Sequence, residues 1–134
     1  MTLIELMLVI TILGALVAIA VPAYRGYAER AQRTEAKTGL LMLAEAQEQF
    51  YLQNNTYTAD LNALGFTGGC TEWCVYTFDF TVAPDTLRYT ARARPTVGGG
   101  TNGVNQGTDT ACQWFTLSST GVRDAGPDPN QNCW

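Results

Sequence analysis

The first 21 residues of the chain form an apolar run with one charged side chain, and this run constrains the fold more than any other segment. The run reads MTLIELMLVITILGALVAIAV. At about 1.5 Å per residue, a helix of this length would cross the hydrocarbon core of a bilayer. A secretory signal peptide is the alternative, and Ala18-Ile19-Ala20 resembles its cleavage site, but no basic region precedes the run. The run therefore predicts a membrane helix.

Glu5 is the charged side chain of this run. A charge inside a membrane segment costs about 3 kcal/mol or more and indicates a function, unless water solvates it at headgroup depth. The helix dipole favours a carboxylate near the N-terminus and offsets part of that cost. The first basic side chain is Arg25, so the nearby cation is an N-terminal ammonium. Because Glu5 cannot easily reach back along its own helix, we expect its partner to be the terminus of another copy, in a staggered stack of parallel helices.

The helix is expected to continue past Pro22 and to end near Asn54-Asn55, where turn-forming residues cluster. Pro22 removes a backbone donor, so a kink or a local opening of the helix is expected there, and Gly14 is a second weak point in the same segment. Beyond Pro22, one side of the helix is apolar at helical spacing. Its members include Leu40, Leu43, Ala44, Gln47, Phe50 and Tyr51.

A segment of mixed charge lies between Pro22 and this apolar stripe. It contains Arg25, Glu29, Arg30, Arg33, Glu35 and Lys37. The spacing of Glu29 and Arg33 suits an ion pair one helical turn apart. Because exposed pairs contribute little to stability, we interpret most of these charges as a solvated helix face, with packing between subunits as the alternative.

The second half of the chain alternates between apolar and polar residues, as strands do. The expected inward positions are Tyr76, Phe78, Phe80 and Val82, then Leu87, Tyr89, Ala91 and Ala93, then Phe115 and Leu117 in a strand that begins at Cys112, with a last strand over 122–125. The expected fold class is α+β. A long N-terminal helix, transmembrane in its first half and amphipathic in its second, packs on an antiparallel sheet of about four strands, with a disulfide-closed loop at the C-terminal end.

The composition argues against an enzyme. The chain has no histidine, so Ser118 and Ser119 lack the commonest activating base. The glycine-rich segment over residues 95–110 lacks the lysine and the following helix of a phosphate-binding loop. We therefore expect no catalytic residue, no metal site and no cofactor. The net charge of −4 also argues against a protein whose overall charge attracts polyanions.

Four cysteines lie in the second half, at positions 70, 74, 112 and 133. An even count in a small chain indicates two disulfides and an oxidising compartment. A zinc site is the weaker alternative, because Cys112 and Cys133 do not form the second close pair that a zinc ribbon requires.

The N-terminal segment Thr2-Leu3-Ile4-Glu5-Leu6, with the apolar run and Pro22 behind it, resembles the mature N-terminus of type IV pilins and their pseudopilin relatives. The resemblance implies that a prepilin peptidase cuts before residue 1 and that the new terminus is N-methylated at Met1, where the family usually has Phe. It implies an assembly role for Met1, Thr2 and Glu5, with Glu5 neutralising the terminal amine of a neighbouring subunit. It also implies that the helix unwinds between Gly14 and Pro22 in the filament.

The patterns and the resemblance together divide the chain into parts. They imply a transmembrane and filament-core helix over residues 1–24 and a globular pilin head over 25–134, the latter made of helix 25–54, loop 55–72, sheet 73–125 and a disulfide-closed region 112–133. A Cys112–Cys133 bridge would close a loop of about 20 residues, add about 3 kcal/mol to stability and resemble the disulfide-closed region of pilins. A Cys70–Cys74 bridge would make a tight loop before the first strand.

The implied function is that of a structural subunit of a type IV pilus. Such a subunit resides in the inner membrane before assembly and in an extracellular filament afterwards. Its partners are other copies of itself, the prepilin peptidase and the inner-membrane assembly machinery.

The alternative is a minor pilin or pseudopilin whose exposed domain binds DNA, a surface or a partner protein. Arg88, Arg92 and Arg94 on one strand face are the candidate surface, with a solvated sheet face as the competing interpretation. Aromatic residues are not expected to interleave with these arginines on that face, which weakens the prediction of nucleic-acid binding. Some pseudopilins bind calcium. The aspartates at 109, 124 and 128 lack regular calcium-ligand spacing.

Overall fold

A computed structural model describes residues 2–100, 106–127 and 132–134. A single long helix comes first in the chain, and short 3₁₀ turns and strands follow it. The elements are α1 Leu3–Asn54, a 3₁₀ turn Thr67–Gly69, β1 Tyr76–Val82, β2 Thr90–Pro95, a 3₁₀ turn Gln106–Thr108, β3 Cys112–Ser118 and β4 Arg123–Pro127. The chain divides into two compact units after Ala31, which we call the N-terminal unit and the C-terminal unit.

The N-terminal unit consists of the first part of α1. The helix is continuous across Gly14 and includes Pro22, so the expected unwinding in a filament stays a prediction. Large apolar side chains from Leu3 to Val21 are exposed along this part of the helix. By length and composition α1 is able to cross a membrane, with a mean hydropathy of 2.7 in its most apolar window.

The C-terminal unit contains the rest of α1 and a four-stranded antiparallel sheet in the order β1-β2-β3-β4. The inner positions of neighbouring strands match in register, since Ala91 pairs with Phe80 and Ala93 with Phe115. The inner face of the sheet and one side of α1 form a single apolar core. It includes Ala36, Leu40, Leu43, Tyr76, Phe78, Tyr89, Phe115 and Leu117. The expected α+β class and the expected helix end near residue 54 are thus confirmed.

Two expected inward positions are wrong. Leu87 is 83% exposed and Val82 is 39% exposed. A register shift between Phe80 and Val82 interrupts the alternation at the end of β1. The second strand begins at Thr90, because the Asp85 carboxylate accepts hydrogen bonds from the backbone N–H groups of Leu87 and Arg88 and holds them in a turn. A prediction based only on the alternation of apolar and polar residues cannot detect that a side chain takes these backbone donors from the strand.

Candidate functional site

The N-terminal end of α1 contains the residues predicted to act in assembly. The Thr2 hydroxyl oxygen accepts a hydrogen bond from the Glu5 backbone N–H at 3.3 Å, and Glu5 Oε2 accepts one from the Thr2 N–H at 3.4 Å. This reciprocal arrangement is a capping box, which satisfies donors that the first turn of a helix leaves unpaired. The Thr-x-x-Glu spacing was visible in the sequence, but its capping role was missed. Met1 lies outside the described residues.

Glu5 is therefore an exposed carboxylate at a defined position of the first helical turn. The cap uses only Glu5 Oε2, in a hydrogen bond of 3.4 Å. The carboxylate can therefore still pair with a cation from another molecule.

A buried ion pair fastens the segment before β3 to the helix in the C-terminal unit. Arg33 donates from Nε to Asp109 Oδ2 at 2.6 Å and from Nη2 to Asp109 Oδ1 at 2.9 Å. Asp109 Oδ1 also accepts from the backbone N–H groups of Ala111 and Cys112. Burial alone would raise the pKa of Asp109, but the Arg33 guanidinium and these backbone donors outweigh burial and hold the pKa below its usual range. Arg33 is thus an exception to the solvated face expected for most of the charges in this segment.

The same ion pair bears on the candidate calcium ligands. Asp109 is already saturated by Arg33 and by backbone donors, and Asp128 lies outside the described residues. Within residues 2–100, 106–127 and 132–134, the structure contains no group of His, Cys, Asp or Glu side chains arranged to hold a metal.

The structure contains two disulfides, Cys70–Cys74 and Cys112–Cys133. The second bridge fastens the C-terminal tail to β3. Next to it, Trp134 packs edge-on against Phe115 and donates its indole N–H to the Asp124 carbonyl at 2.6 Å. The bridge and the buried Asp109 therefore stabilise one end of the sheet together.

The candidate arginines are not a free basic stripe. Arg92 forms a two-hydrogen-bond ion pair with Asp79 on the neighbouring strand, and Arg94 lies 2.8 Å from the same carboxylate. The hydrogen bond from Arg92 is the main reason that the pKa of Asp79 is lowered. Arg88 lies in the turn before β2 rather than on the sheet. The structure thus brings Arg92 and Arg94 together around Asp79, which is the counter-charge of both. Arg88 lies apart from them.

An aromatic side chain does lie on the same face of the sheet, which corrects the prediction. Arg92 and Trp114 line a common cleft. The register that pairs Ala93 with Phe115 on the inner face turns Trp114 of β3 outward, as it does Arg94 of β2. The aromatic partner comes from the adjacent strand and not from the strand of the arginines, so that only the cross-strand register reveals it.

Comparisons with known proteins agree with this architecture. A model of the family described as "Type IV minor pilin ComP, DNA uptake sequence receptor" matches residues 22–116. The major pilin PilA of Myxococcus xanthus is 43% identical over 65 residues, or 48% of this chain and 30% of PilA. The major pilin PilE of Neisseria gonorrhoeae is 44% identical over 68 residues, or 48% of this chain and 38% of PilE. The matched part thus spans only about a third of these relatives' length.

A solved structure extends the similarity to the whole fold. The non-core minor pilin PilV of Neisseria meningitidis superposes with a TM-score of 0.56 at 25% identity. The match covers 80% of this chain and 94% of that chain.

Proposed function

Because this chain belongs to the type IV pilins, in the family of the minor pilin ComP, we propose that it is a pilus subunit that polymerises through the N-terminal part of α1. The observation that carries the proposal is the exposed apolar surface of that helix from Leu3 to Val21. Such a surface is stable only in a bilayer or against other apolar helices. The same surface therefore serves as membrane anchor before assembly and as filament core afterwards.

Glu5 sets the register between subunits in this proposal. As a new subunit joins, its Glu5 carboxylate pairs with the Met1 amine of a neighbouring copy in an environment without water. Pairing removes the cost of burying either charge alone. A subunit that joined one step out of register would leave both charges buried without a partner and would bear that cost again. The intramolecular cap between Thr2 and Glu5 keeps the carboxylate at the helix end until the neighbour arrives.

The remaining steps belong to other proteins. A prepilin peptidase cleaves before Met1, the new terminus is N-methylated, and inner-membrane assembly machinery extracts the subunit. The domain over residues 25–134 is then displayed on the outside of the cell.

Intact mass of the filament protein tests this function. We expect sheared surface filaments to contain this chain with a methylated Met1 and with two hydrogens fewer for each disulfide. Filaments in which this chain is a trace component would instead identify a minor subunit, and cells whose filaments lack it altogether would contradict the proposal.

A DNA-binding minor pilin is the second candidate function. It is favoured by the match to the ComP family, whose description names a DNA uptake sequence receptor. Arg88, Arg92 and Arg94 are the candidate phosphate contacts, although Asp79 neutralises part of their charge. The test is duplex binding at several salt concentrations. Affinity that falls with added salt, and falls further in Arg88→Gln and Arg94→Gln, supports this function, whereas absence of binding at low salt excludes it.

A further inference from the structure

Two clefts share Trp114 and Asp124, one along the β4 edge of the sheet and one on its outer face. One cleft of about 440 Å³ is bordered further by Arg123 and Trp134, and another of about 420 Å³ by Arg92 and Thr116. Trp114 therefore stands where the two clefts meet. Neither cleft involves the apolar helix that assembly uses.

The position of the Trp114 ring is set by a glycine on the next strand. Trp114 pairs with Gly126, and a Cβ built on Gly126 would collide with the ring, 2.7 Å from Cε2. The ring thus lies closely against the backbone of β4. Among the described residues, none accepts a hydrogen bond from its indole N–H. The side chain presents a flat apolar surface and one available donor.

Short polar groups surround this aromatic surface. The hydroxyls of Thr81, Thr90 and Thr116 line the second cleft together with the Asp124 carboxylate and the Arg92 guanidinium. The Thr81 and Thr116 hydroxyls make only long contacts to backbone carbonyls, at 3.4 and 3.5 Å. They can therefore exchange these contacts for hydrogen bonds to a ligand.

The charges on this face largely neutralise one another. Asp79 lies 2.6 Å from Arg92 and 2.8 Å from Arg94, and Asp124 adds a second carboxylate to the face. A polyanion would gain little from cations that already have partners, and it would approach two carboxylates. An uncharged ligand rich in hydroxyls encounters no such penalty.

We propose that this face binds an uncharged oligosaccharide, with one pyranose ring stacked on Trp114. A pyranose has a flat face of C–H groups, which matches the indole surface, and a rim of hydroxyls that both donate and accept. Thr116, Asp124, Arg92 and the indole N–H offer the complementary donors and acceptors. An aromatic wall with a few placed polar groups is the usual composition of a small-molecule site.

Indole N–H signals in NMR spectra test the proposal on the full chain. The protein is prepared in dodecylphosphocholine micelles, since this detergent has no sugar headgroup, and is titrated with maltotriose and with triacetylchitotriose. We expect a saturable shift of the Trp114 signal with at least one of the two sugars. Trp73, which is 53% exposed and belongs to a different loop, provides the internal control and should not shift in the same way.

Substitutions separate stacking from folding. Trp114→Ala should weaken sugar binding by about tenfold or more, which corresponds to about 1.4 kcal/mol. Trp73→Ala should leave binding unchanged. If Trp114→Ala does not fold, Thr116→Val and Asp124→Asn replace it, and each should weaken binding severalfold while the indole spectrum stays native.

Three results would overturn the proposal. The first is absence of a saturable Trp114 shift with both sugars. The second is unchanged affinity in the folded Trp114, Thr116 and Asp124 variants. The third is a salt-dependent Trp114 shift with a short DNA oligonucleotide and none with sugar, which would assign this face to nucleic acid.

Discussion

Arg33 and Asp109 are 76 residues apart in the sequence and form a two-hydrogen-bond ion pair in which the Asp109 side chain is only 2% exposed. The pair connects α1 to the segment that leads into Cys112. Since Asp109 also accepts backbone hydrogen bonds from that segment, one carboxylate organises the entry to β3.

Removing the arginine should destabilise the C-terminal unit strongly. Arg33→Gln leaves the Asp109 charge buried without its partner, and we expect a loss of about 3 kcal/mol in the free energy of unfolding. The matched control is Arg94→Gln, whose side chain is 54% exposed and should cost less than about 1 kcal/mol. Urea titration in micelles, followed by tryptophan fluorescence, measures both. Equal losses of unfolding free energy in the two variants would contradict the claim that burial makes the Arg33–Asp109 pair more stabilising than the Arg94–Asp79 pair.

Stability should decrease in acid because of Asp109. Its pKa is lower in the folded protein than the ordinary value of 3.8, so its contribution is complete above that value and is lost as the pH falls through the folded-state pKa. Urea titrations over a pH series should therefore show a falling free energy of unfolding below about pH 4. In Asp109→Asn this decrease should be smaller. An unchanged pH profile in that variant would contradict the argument.

Gly39 should not tolerate a side chain. A Cβ at this position would lie 2.7 Å from Phe78 Cζ and 3.1 Å from Thr71 Cγ2 in the core. We expect Gly39→Ala to lower the free energy of unfolding by about 1–3 kcal/mol, as overpacking does. Gly26→Ala is the control, since no atom lies within 4 Å of its added Cβ and alanine favours a helix. Thermal unfolding of the unassembled protein in micelles compares them, and a stable Gly39→Ala would refute this packing.

The two disulfides should contribute unequally. Replacing Cys112 and Cys133 by serine should cost about 3 kcal/mol, and replacing Cys70 and Cys74 about 2 kcal/mol, because the first pair closes the longer loop. The first substitution should also change the Trp134 fluorescence, as Trp134 adjoins Cys133. Urea titration of both double variants gives the comparison. The reverse order would contradict the loop-length argument.

The regular elements could be predicted because their signals are local. The helical period of Leu40 and Leu43 and the alternation of Tyr76 and Phe78 each depend on a few neighbouring residues, and the structure confirms both patterns. The start of β2 could not be predicted in this way, because the Asp85 side chain takes the backbone donors of the preceding residues.

The functional surfaces were harder to predict because they depend on distant pairs. Arg33 has the ordinary sequence context of an exposed helix residue, and only the folded chain brings Asp109 to it. Trp114 joins the face of Arg92 through the register of β2 and β3. A sequence analysis that compared outward positions across neighbouring strands could have found Trp114, but none would have found the Arg33 pair.

Filament formation by Glu5→Gln cells tests the central claim most directly. Glutamine keeps the size and much of the capping ability of Glu5 but removes the charge. Glu45→Gln is the matched control, because it makes the same carboxylate-to-amide change at an exposed position of the same helix, outside the apolar segment. Electron microscopy with quantified sheared subunits should show filaments lost in Glu5→Gln and retained in Glu45→Gln. Normal filament yield in Glu5→Gln would contradict the proposed pairing of Glu5 with a neighbouring terminal amine.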